Sequence, residues 1–263
     1  MAGPLVQSGR RVSRVPRVDS RFRAFSFPYG SNLARMPTAE EAWDEWCEQF
    51  DDVADALFQG HYYRSIWRAL TAIIEQSGTP QSAGVVSYLR VTYAAYIASY
   101  VRREVDDHTD STSLYRCLQY LARNAHAMSR TRFSAAVTLI YEEDRQDVSR
   151  WFDKFAPDGG SELDRPTIET GMRDLRNAAD KVKRFVDTRV AHRGKVPSEP
   201  ISFADIDAAM GVIESISKKY YGLRHPGTNL WTATPVVDLN FLRMFEVPWF
   251  PPGSTVPPEL RQP

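Results

Sequence analysis

The chain has 263 residues, of which 43% are hydrophobic and 12% aromatic, enough apolar side chains for the core of one large domain or two small ones. Lysine plus arginine and aspartate plus glutamate each number 33, so a formal net charge of zero excludes a globally basic nucleic-acid-binding protein and leaves only local basic patches. Two cysteines exclude a disulfide scaffold, and no apolar run approaches the ~20 residues of a membrane span, so a cytoplasmic location is predicted.

The N-terminal segment, residues 1–36, is strongly basic. It contains seven arginines and one acidic residue, Asp19, without a helical period. The composition predicts a disordered basic arm, unless translation starts further downstream. Such an arm either attracts nucleic acid electrostatically or is only a solvated tail.

Caps, glycines and apolar spacing predict the helices of the first half of the chain. Thr38 with Glu41 three residues later forms a capping box that begins the first helix, and Gly60 is predicted to end it. Apolar residues at spacings of three and four predict its buried face: Trp43, Trp46, Phe50, Val53 and Leu57. Further helices are predicted near 61–76, 81–106 and 113–127. Helix 81–106 carries a stripe of mostly small residues that is predicted to be buried: Gly84, Tyr88, Val91, Ala95 and Ser99.

The second half of the chain continues the helical pattern. Helices are predicted at about 131–155, 166–193 and 202–221. Ser202 with Asp205 caps the last of these, and Gly222 is predicted to stop it. No strand pattern is present, so the sequence predicts an all-α fold: an up-and-down helical bundle with extra helices over residues 37–225. A Pro-rich C-terminal strap and tail is predicted over 226–263.

Two of these core helices become polar at their C-terminal ends. The apolar stripe of helix 166–193 consists of Ile168, Leu175, Ala178, Ala179, Val182 and Val186. At about 100° per residue Arg189 falls on the centre of that stripe, and His192 lies one turn further on. The stripe of helix 81–106 continues onto Arg102 and, one turn later, Asp106, which form an i,i+4 pair. Because an unpaired buried charge is costly, these ends are predicted to meet in one polar pocket if the helices run parallel. If the helices run antiparallel within one subunit, the ends are predicted not to meet.

A simpler explanation stays open for these charges. Cations in the last turn of a helix interact favourably with its dipole and hydrogen-bond its last carbonyl groups. The residues that this explanation covers are Arg102, Arg103, Arg189, His192 and Arg193.

Two stretches of the sequence resemble the HEPN superfamily, specifically its abortive-infection (Abi) U-like branch. VRREVDDHTDSTSLYRCL at 101–118 resembles the Arg-Arg-x-x-Asp segment of that group and the Ser-Leu-rich start of its next helix. VDTRVAHRGK at 186–195 resembles the Asp-x-x-x-Ala-His segment of the group, and the stretch WRALTAIIEQSG is also similar to members of this group. The similarity covers about 40–225. It implies a helical bundle, often dimeric, and for many members metal-independent ribonuclease activity in toxin–antitoxin, phage-defence and RNA-processing systems.

The resemblance also assigns roles to individual residues. It implies that His192 takes the place of the HEPN histidine and Asp187 that of the polar residue. The expected arginine position holds Val186, which is a departure from the motif. Either the role of the arginine has moved to Arg102 or Arg103, or the protein is inactive as a nuclease.

The first functional hypothesis is therefore a HEPN-like protein of the abortive-infection type that acts on RNA, as a metal-independent endoribonuclease in phage defence or a toxin–antitoxin system. Its expected partners are RNA, a second copy of the chain, and an antitoxin or other defence-system protein. The hypothesis includes no cofactor, metal or membrane. Its catalytic candidates are His192, Arg189 and Asp187, and its binding candidates are Arg102, Arg103 and Asp106. The alternative is a HEPN-derived module that has lost catalysis and binds RNA or a partner protein.

Other residues with functional chemistry give weaker signals. The remaining histidines, His61, His108, His126 and His225, lack metal-ligand spacing. The string Arg123-Asn124-x-His126 is interpreted as a helix end, and Cys117 as a core residue. Four tyrosines can stack on bases or pack between helices: Tyr88, Tyr93, Tyr96 and Tyr100.

Overall fold

The computed structural model describes residues 36–76, 84–141, 150–190 and 200–226. The principal helices of these ranges are α1 (Ala39–Gln76), α2 (Gly84–Glu104), α3 (Leu114–Arg123), α4 (Arg130–Tyr141), α5 (Arg165–Phe185) and α6 (Phe203–Arg224). Within them the only β-structure is an isolated bridge between Ser129 and Glu162, so the all-α prediction is confirmed for this part of the chain. None of the described helices combines the length and apolarity needed to cross a bilayer. The predicted basic arm and the predicted C-terminal strap lie almost entirely outside the described residues.

Helix α1 is continuous through Gly60, so the predicted break into two helices is wrong. Its 38 residues extend roughly 57 Å at ~1.5 Å per residue. Gly60 serves packing rather than termination, because a Cβ atom there would lie 2.8 Å from Cζ of Tyr100 on α2. The missing side chain lets the two helices approach closely, and this packing offsets the ~1 kcal/mol that a helical glycine costs relative to alanine.

The buried face of α2 differs from the predicted one. Its buried side chains are Val86, Ile97, Ala98, Tyr100, Val101 and Glu104. The predicted stripe is wrong in its first half, since Tyr88 and Val91 are 69% and 66% exposed. Helix α2 carries apolar residues on more than one side, so spacing alone could not identify the buried face. Consequently the charged residue on the core face of α2 is Glu104, and Arg102 lies beside that face rather than on it.

Both predicted capping boxes are confirmed. At the start of α1 the Thr38 hydroxyl accepts the Glu41 N–H at 3.2 Å, and the Glu41 carboxylate accepts the Thr38 N–H at 2.8 Å. At the start of α6 the Ser202 hydroxyl accepts the Asp205 N–H at 3.2 Å, and the Asp205 carboxylate accepts the Ser202 N–H at 2.7 Å. Each pair satisfies two backbone N–H groups that a helix start leaves without intrahelical partners.

The last helix ends later than predicted. Helix α6 passes Gly222 and ends at Arg224, so the stop predicted at Gly222 is wrong. The end instead precedes Pro226, whose ring disfavours helical geometry at the preceding residue, and His225 has left that geometry (φ −125°, ψ 77°). The predicted helix 131–155 is helical over Arg130–Tyr141 and again at 150–154, and the residues between lie outside the described part.

The long helix α1 runs antiparallel to both α2 and α6. The contacts that establish this are Tyr63 with Tyr96 and Trp67 with Tyr93 toward α2, and Asp51 with Arg224 and Arg64 with Asp207 toward α6. Helix α5 packs against α2, α3 and α6. The largest fully buried side chains of the core include Trp46, Tyr220, Phe50, Phe133 and Phe152. This arrangement brings the C-terminal end of α5 against the C-terminal end of α2.

Candidate functional site

Charged side chains in the last turns of α2 and α5, and just beyond them, meet where these two helices end. Nε of Arg102 donates to Oδ1 of Asp187 at 3.0 Å, and Nη1 of Arg102 donates to Oδ2 of Asp106 at 3.2 Å. Nζ of Lys183 donates to the other oxygen of Asp187 at 2.9 Å. We call these four residues the ion cluster. The predicted i,i+4 pair of Arg102 and Asp106 is confirmed, and the two polar helix ends meet within one chain. The prediction that they can meet only between parallel helices is wrong, because α2 and α5 run antiparallel, as the further contact between Asp107 and Arg176 shows.

The ion cluster is balanced in charge and partly exposed. Burial alone would raise the pKa of Asp187, but hydrogen bonds from Lys183 and Arg102 outweigh it and lower that pKa below its ordinary value. The hydrogen bond with Asp187 raises the pKa of Arg102 further, so the guanidinium stays charged. The side chains of Arg102 and Asp187 are 37% and 34% exposed, so solvent reaches the cluster. An incoming phosphate would have to compete with two carboxylates for the guanidinium.

Arg103 makes different contacts from those of its neighbour Arg102. Its Nε and Nη2 donate to Oε1 of Glu104 at 3.1 and 2.9 Å, and its guanidinium lies 5.1 Å from the ring centroid of Tyr100. Glu104 is 1% exposed, and its other oxygen accepts the Leu114 N–H at the start of α3 at 3.2 Å. Arg103 therefore balances a buried carboxylate that joins α2 to α3, which is a structural role.

The helix that follows α5 widens before Arg189. Residues Val186–Val190 form a π-helical turn. A π turn holds more residues than an α turn, so Arg189 is rotated off the apolar stripe on which regular α geometry would place it. Arg189 is exposed, and its predicted position on the core stripe is wrong. π turns occur frequently at functional sites, so the local geometry is compatible with one here.

The motif position occupied by valine is part of the core. Val186 is 3% exposed and continues the buried stripe of α5, which includes four of the other predicted residues: Ile168, Leu175, Ala179 and Val182. The predicted histidine of the site, His192, lies outside the described residues. In sequence it follows Asp187 by five positions.

A second polar cluster, between α1 and α6, was missed by the sequence analysis. Arg64 is only 9% exposed and contacts Asp207 at 2.7 Å and Glu214 at 3.4 Å. Nδ1 of His61 lies 3.9 Å from Glu214. The negative charge of that carboxylate raises the pKa of His61, but burial has the larger effect and lowers it to about 4. The helical spacing of these charges was visible in the sequence, but nothing in it showed that α1 and α6 are neighbours.

The weaker candidates occupy structural positions. The Arg123–His126 string ends α3, since the Asn124 N–H bonds to carbonyls of its last turn, and the ring of His126 contacts the Pro37 carbonyl. Cys117 is buried, and burial raises the pKa of its thiol. Within the part of the chain that the structure describes, no group of three His, Cys, Asp or Glu side chains is arranged to hold a metal ion.

Comparison with known proteins gives no relative. No protein-family model, no curated protein sequence and no solved structure matches the chain.

Proposed function

We propose that this chain is a HEPN-like protein of the abortive-infection type that acts on RNA as a metal-independent endoribonuclease. The observation that supports the proposal is the 3.0 Å contact between Arg102 and Asp187. The resemblance leads us to expect an arginine immediately before Asp187, where the chain has Val186. A guanidinium from α2 at Asp187 is the arrangement expected if Arg102 has taken over the role of the missing arginine.

The proposed chemistry needs a proton-transfer group and a fixed cation. A base removes the proton of a ribose 2′-OH, whose oxygen forms a bond to the adjacent phosphorus. The bond from phosphorus to the 5′-oxygen breaks, and an acid protonates that oxygen, so the products are a 2′,3′-cyclic phosphate and a 5′-OH. Histidine titrates near neutral pH and suits the proton transfers, which we assign to His192. Arginine keeps its charge and can stabilise the phosphorane through two parallel hydrogen bonds.

In this proposal the carboxylates of the ion cluster are positioning groups. Asp187 and Asp106 hold the Arg102 guanidinium from two directions, which limits its rotamers before RNA arrives. The exposed Arg189 adds positive charge near the phosphate. A second copy of the chain would supply a second set of the same residues around the RNA backbone, and an antitoxin or other defence-system protein would restrain the activity.

Two observations favour a second candidate function, a HEPN-derived module that binds RNA or a protein without cleaving. Val186 is buried, so the motif position cannot present a side chain to RNA. In addition, two carboxylates already occupy Arg102, and a phosphate must displace at least one of them to reach it.

Cleavage by defined variants tests the proposal. Purified full-length protein is incubated with mixed single-stranded RNA in the presence of a chelator. We expect cleavage that His192→Ala reduces by about 10²–10⁴-fold, the usual value of a general acid or base. Arg102→Gln should reduce it as well, because the guanidinium is lost. Arg173→Gln, on the exposed side of α5, is the matched control and should cleave like the unchanged protein.

The same variants separate the two candidate functions. Equal cleavage by the unchanged protein and His192→Ala would contradict the nuclease proposal. Absence of cleavage, together with RNA binding that Arg102→Gln weakens and Arg173→Gln does not, would support the non-catalytic module instead.

A further inference from the structure

Three aromatic rings from three helices stack on one another at the partly exposed side of the α1–α2–α6 contact. The rings of Trp67 and Tyr93 stack at a centroid distance of 4.7 Å and 12° between planes. Phe203 lies 5.8 Å from Trp67 and 6.1 Å from Tyr93, again nearly parallel at 16° and 18°. All three side chains are only partly buried. We call these residues the aromatic platform.

The aromatic platform borders two open cavities. They have volumes of about 270 and 250 Å³, and Trp67 and Phe203 line both of them. Asp207 and Arg68 also line the first cavity, Glu75 lines both, and Arg90 lines the second with its guanidinium 5.6 Å from the centroid of the Phe203 ring. Ligand pockets usually begin at ~300 Å³, so each space suits one planar ring system rather than a large ligand.

The charged groups at the first cavity are fixed by the fold. Arg64, which is only 9% exposed, donates through Nε to Oδ1 of Asp207 at 2.8 Å, and its Nη2 lies 2.7 Å from the same oxygen. A largely buried arginine therefore holds the orientation of a carboxylate that is itself exposed. Nη2 of Arg68 lies 3.7 Å from that carboxylate, on a side chain that is 63% exposed.

These observations define the chemistry of a ligand. Parallel rings offer a face for stacking, a fixed carboxylate accepts hydrogen bonds from N–H donors, and the exposed guanidinium of Arg68 attracts phosphate. An aliphatic ligand would use the rings but not the charges, and a simple anion would be repelled by Asp207. A nucleobase with its phosphate uses all of these groups, and guanine presents two adjacent N–H donors to a carboxylate.

We infer that the aromatic platform is a nucleobase-binding site, in which a base stacks on Trp67 and Phe203 and donates hydrogen bonds to Asp207. The base belongs either to a free nucleotide or to single-stranded RNA, since the recognition chemistry is the same. The site uses no residue of the ion cluster. Base binding is therefore a property beyond the proposed cleavage, and it does not require that the chain be a nuclease.

Calorimetric titration of the full-length protein tests the inference. The probes are guanosine 5′-monophosphate, uridine 5′-monophosphate and a short single-stranded oligonucleotide with 2′-O-methyl groups, which lacks the hydroxyl needed for cleavage. We expect guanosine 5′-monophosphate to bind more tightly than the uridine nucleotide. Trp67→Leu should weaken binding by about fivefold to a hundredfold, the range measured for a stacked base.

Three further variants of the chain serve as controls in the titration. Tyr88→Leu removes an aromatic ring that is 69% exposed and lines neither cavity, so it should leave affinity unchanged. Arg68→Gln changes an exposed side chain without threatening the fold, and it should weaken binding of the nucleotide but not of guanosine. His192→Ala should reduce cleavage by about 10²–10⁴-fold without changing base affinity, so the two proposals fail independently. Far-UV circular dichroism confirms that each variant is folded.

Each outcome decides the question. Binding of mononucleotides that depends on Trp67 and Arg68 supports the site with a free nucleotide as its ligand. Binding of the oligonucleotide alone, with the same dependence, supports the site with RNA as its ligand. Absence of binding by all probes at millimolar concentration overturns the inference, as does binding that Trp67→Leu leaves intact.

Discussion

The contact between Arg102 and Asp187 can be measured as a coupling energy in a double-mutant cycle. The variants are Arg102→Gln, Asp187→Asn and the combination, each of which removes a charge while keeping a similar side-chain size. The two residues lie 85 positions apart in sequence and join the ends of α2 and α5. A coupling between them therefore reports the meeting of these ends, not the stability of one helix.

The expected magnitude follows from exposure and geometry. The two side chains are 37% and 34% exposed, and the hydrogen bond is 3.0 Å long. Partly exposed ion pairs contribute about 0.2–1 kcal/mol, and we place this pair near the upper end, at about 0.5–1 kcal/mol, because it is half-shielded from solvent. The pair of Arg184 and Asp180 on the outside of α5 is the matched control. Its side chains are 67% and 59% exposed, so its coupling should be about 0.3–0.5 kcal/mol or less.

Urea unfolding at neutral pH measures both cycles. The lowered pKa of Asp187 gives the sign of the pH dependence: its contribution is present above the unfolded pKa and is lost as the pH falls through the folded pKa. The coupling should therefore disappear in acid. A coupling of zero at neutral pH, or one no larger than that of the control pair, would refute the inference that the two helix ends meet at this contact.

Three further changes test the fold. Gly60→Ala should lower the free energy of unfolding by about 1–3 kcal/mol relative to the control Gly171→Ala, as measured by thermal or urea unfolding. The reason is that a Cβ atom at Gly60 overlaps a buried ring, whereas one at Gly171 meets no atom within 4 Å. Equal stabilities of the two variants would contradict the close approach of α1 and α2. The lowered pKa of His61, about 4, means that the unfolded chain binds a proton that the folded chain rejects between about pH 6.5 and 4, so stability should fall as the pH falls through this window. His61→Gln should flatten that dependence, and a dependence that stays unchanged would show that His61 is not its source. Ser202→Ala should cost about 1 kcal/mol in urea unfolding, because the α6 cap loses its hydroxyl acceptor; no loss would show that the capping box does not stabilise the helix.

The sequence was sufficient for features that depend on neighbouring residues. The capping boxes at Thr38 and Ser202, the buried face of α1 as far as Leu57 and the buried face of α5 were predicted correctly, because caps and periodicity act within a few turns of one helix. Gly60 and Gly222 were misinterpreted as helix ends. At Gly60 the reason is that a glycine that permits close packing and a glycine that ends a helix look the same until the neighbouring helix is known; a Cβ atom at Gly222 would meet no atom within 4 Å, and that residue lies two positions before the end of α6.

The candidate site was predictable only in part, for similar reasons. The pair of Arg102 and Asp106 follows from spacing alone, and it is present. The prediction of the buried face of α2 was wrong because two faces of that helix are apolar. Glu104 was therefore not recognised as the buried charged residue of this helix. The position of Arg189 on the core stripe was predicted wrongly because no local sequence pattern indicates the change from an α-helix to a π turn. The sequence did not predict the aromatic platform, because its three rings come from distant parts of the chain.

The chemistry of the RNA ends tests the proposed function most directly. Mixed RNA is treated with the full-length protein under chelation, and the new termini are identified by their susceptibility to phosphatase and to 5′-kinase. The proposal predicts 2′,3′-cyclic phosphate and 5′-OH termini, which both His192→Ala and Arg102→Gln strongly diminish. Termini with a 5′-phosphate, or identical cyclic products from all three proteins, would contradict a site built from His192 and the Arg102–Asp187 pair.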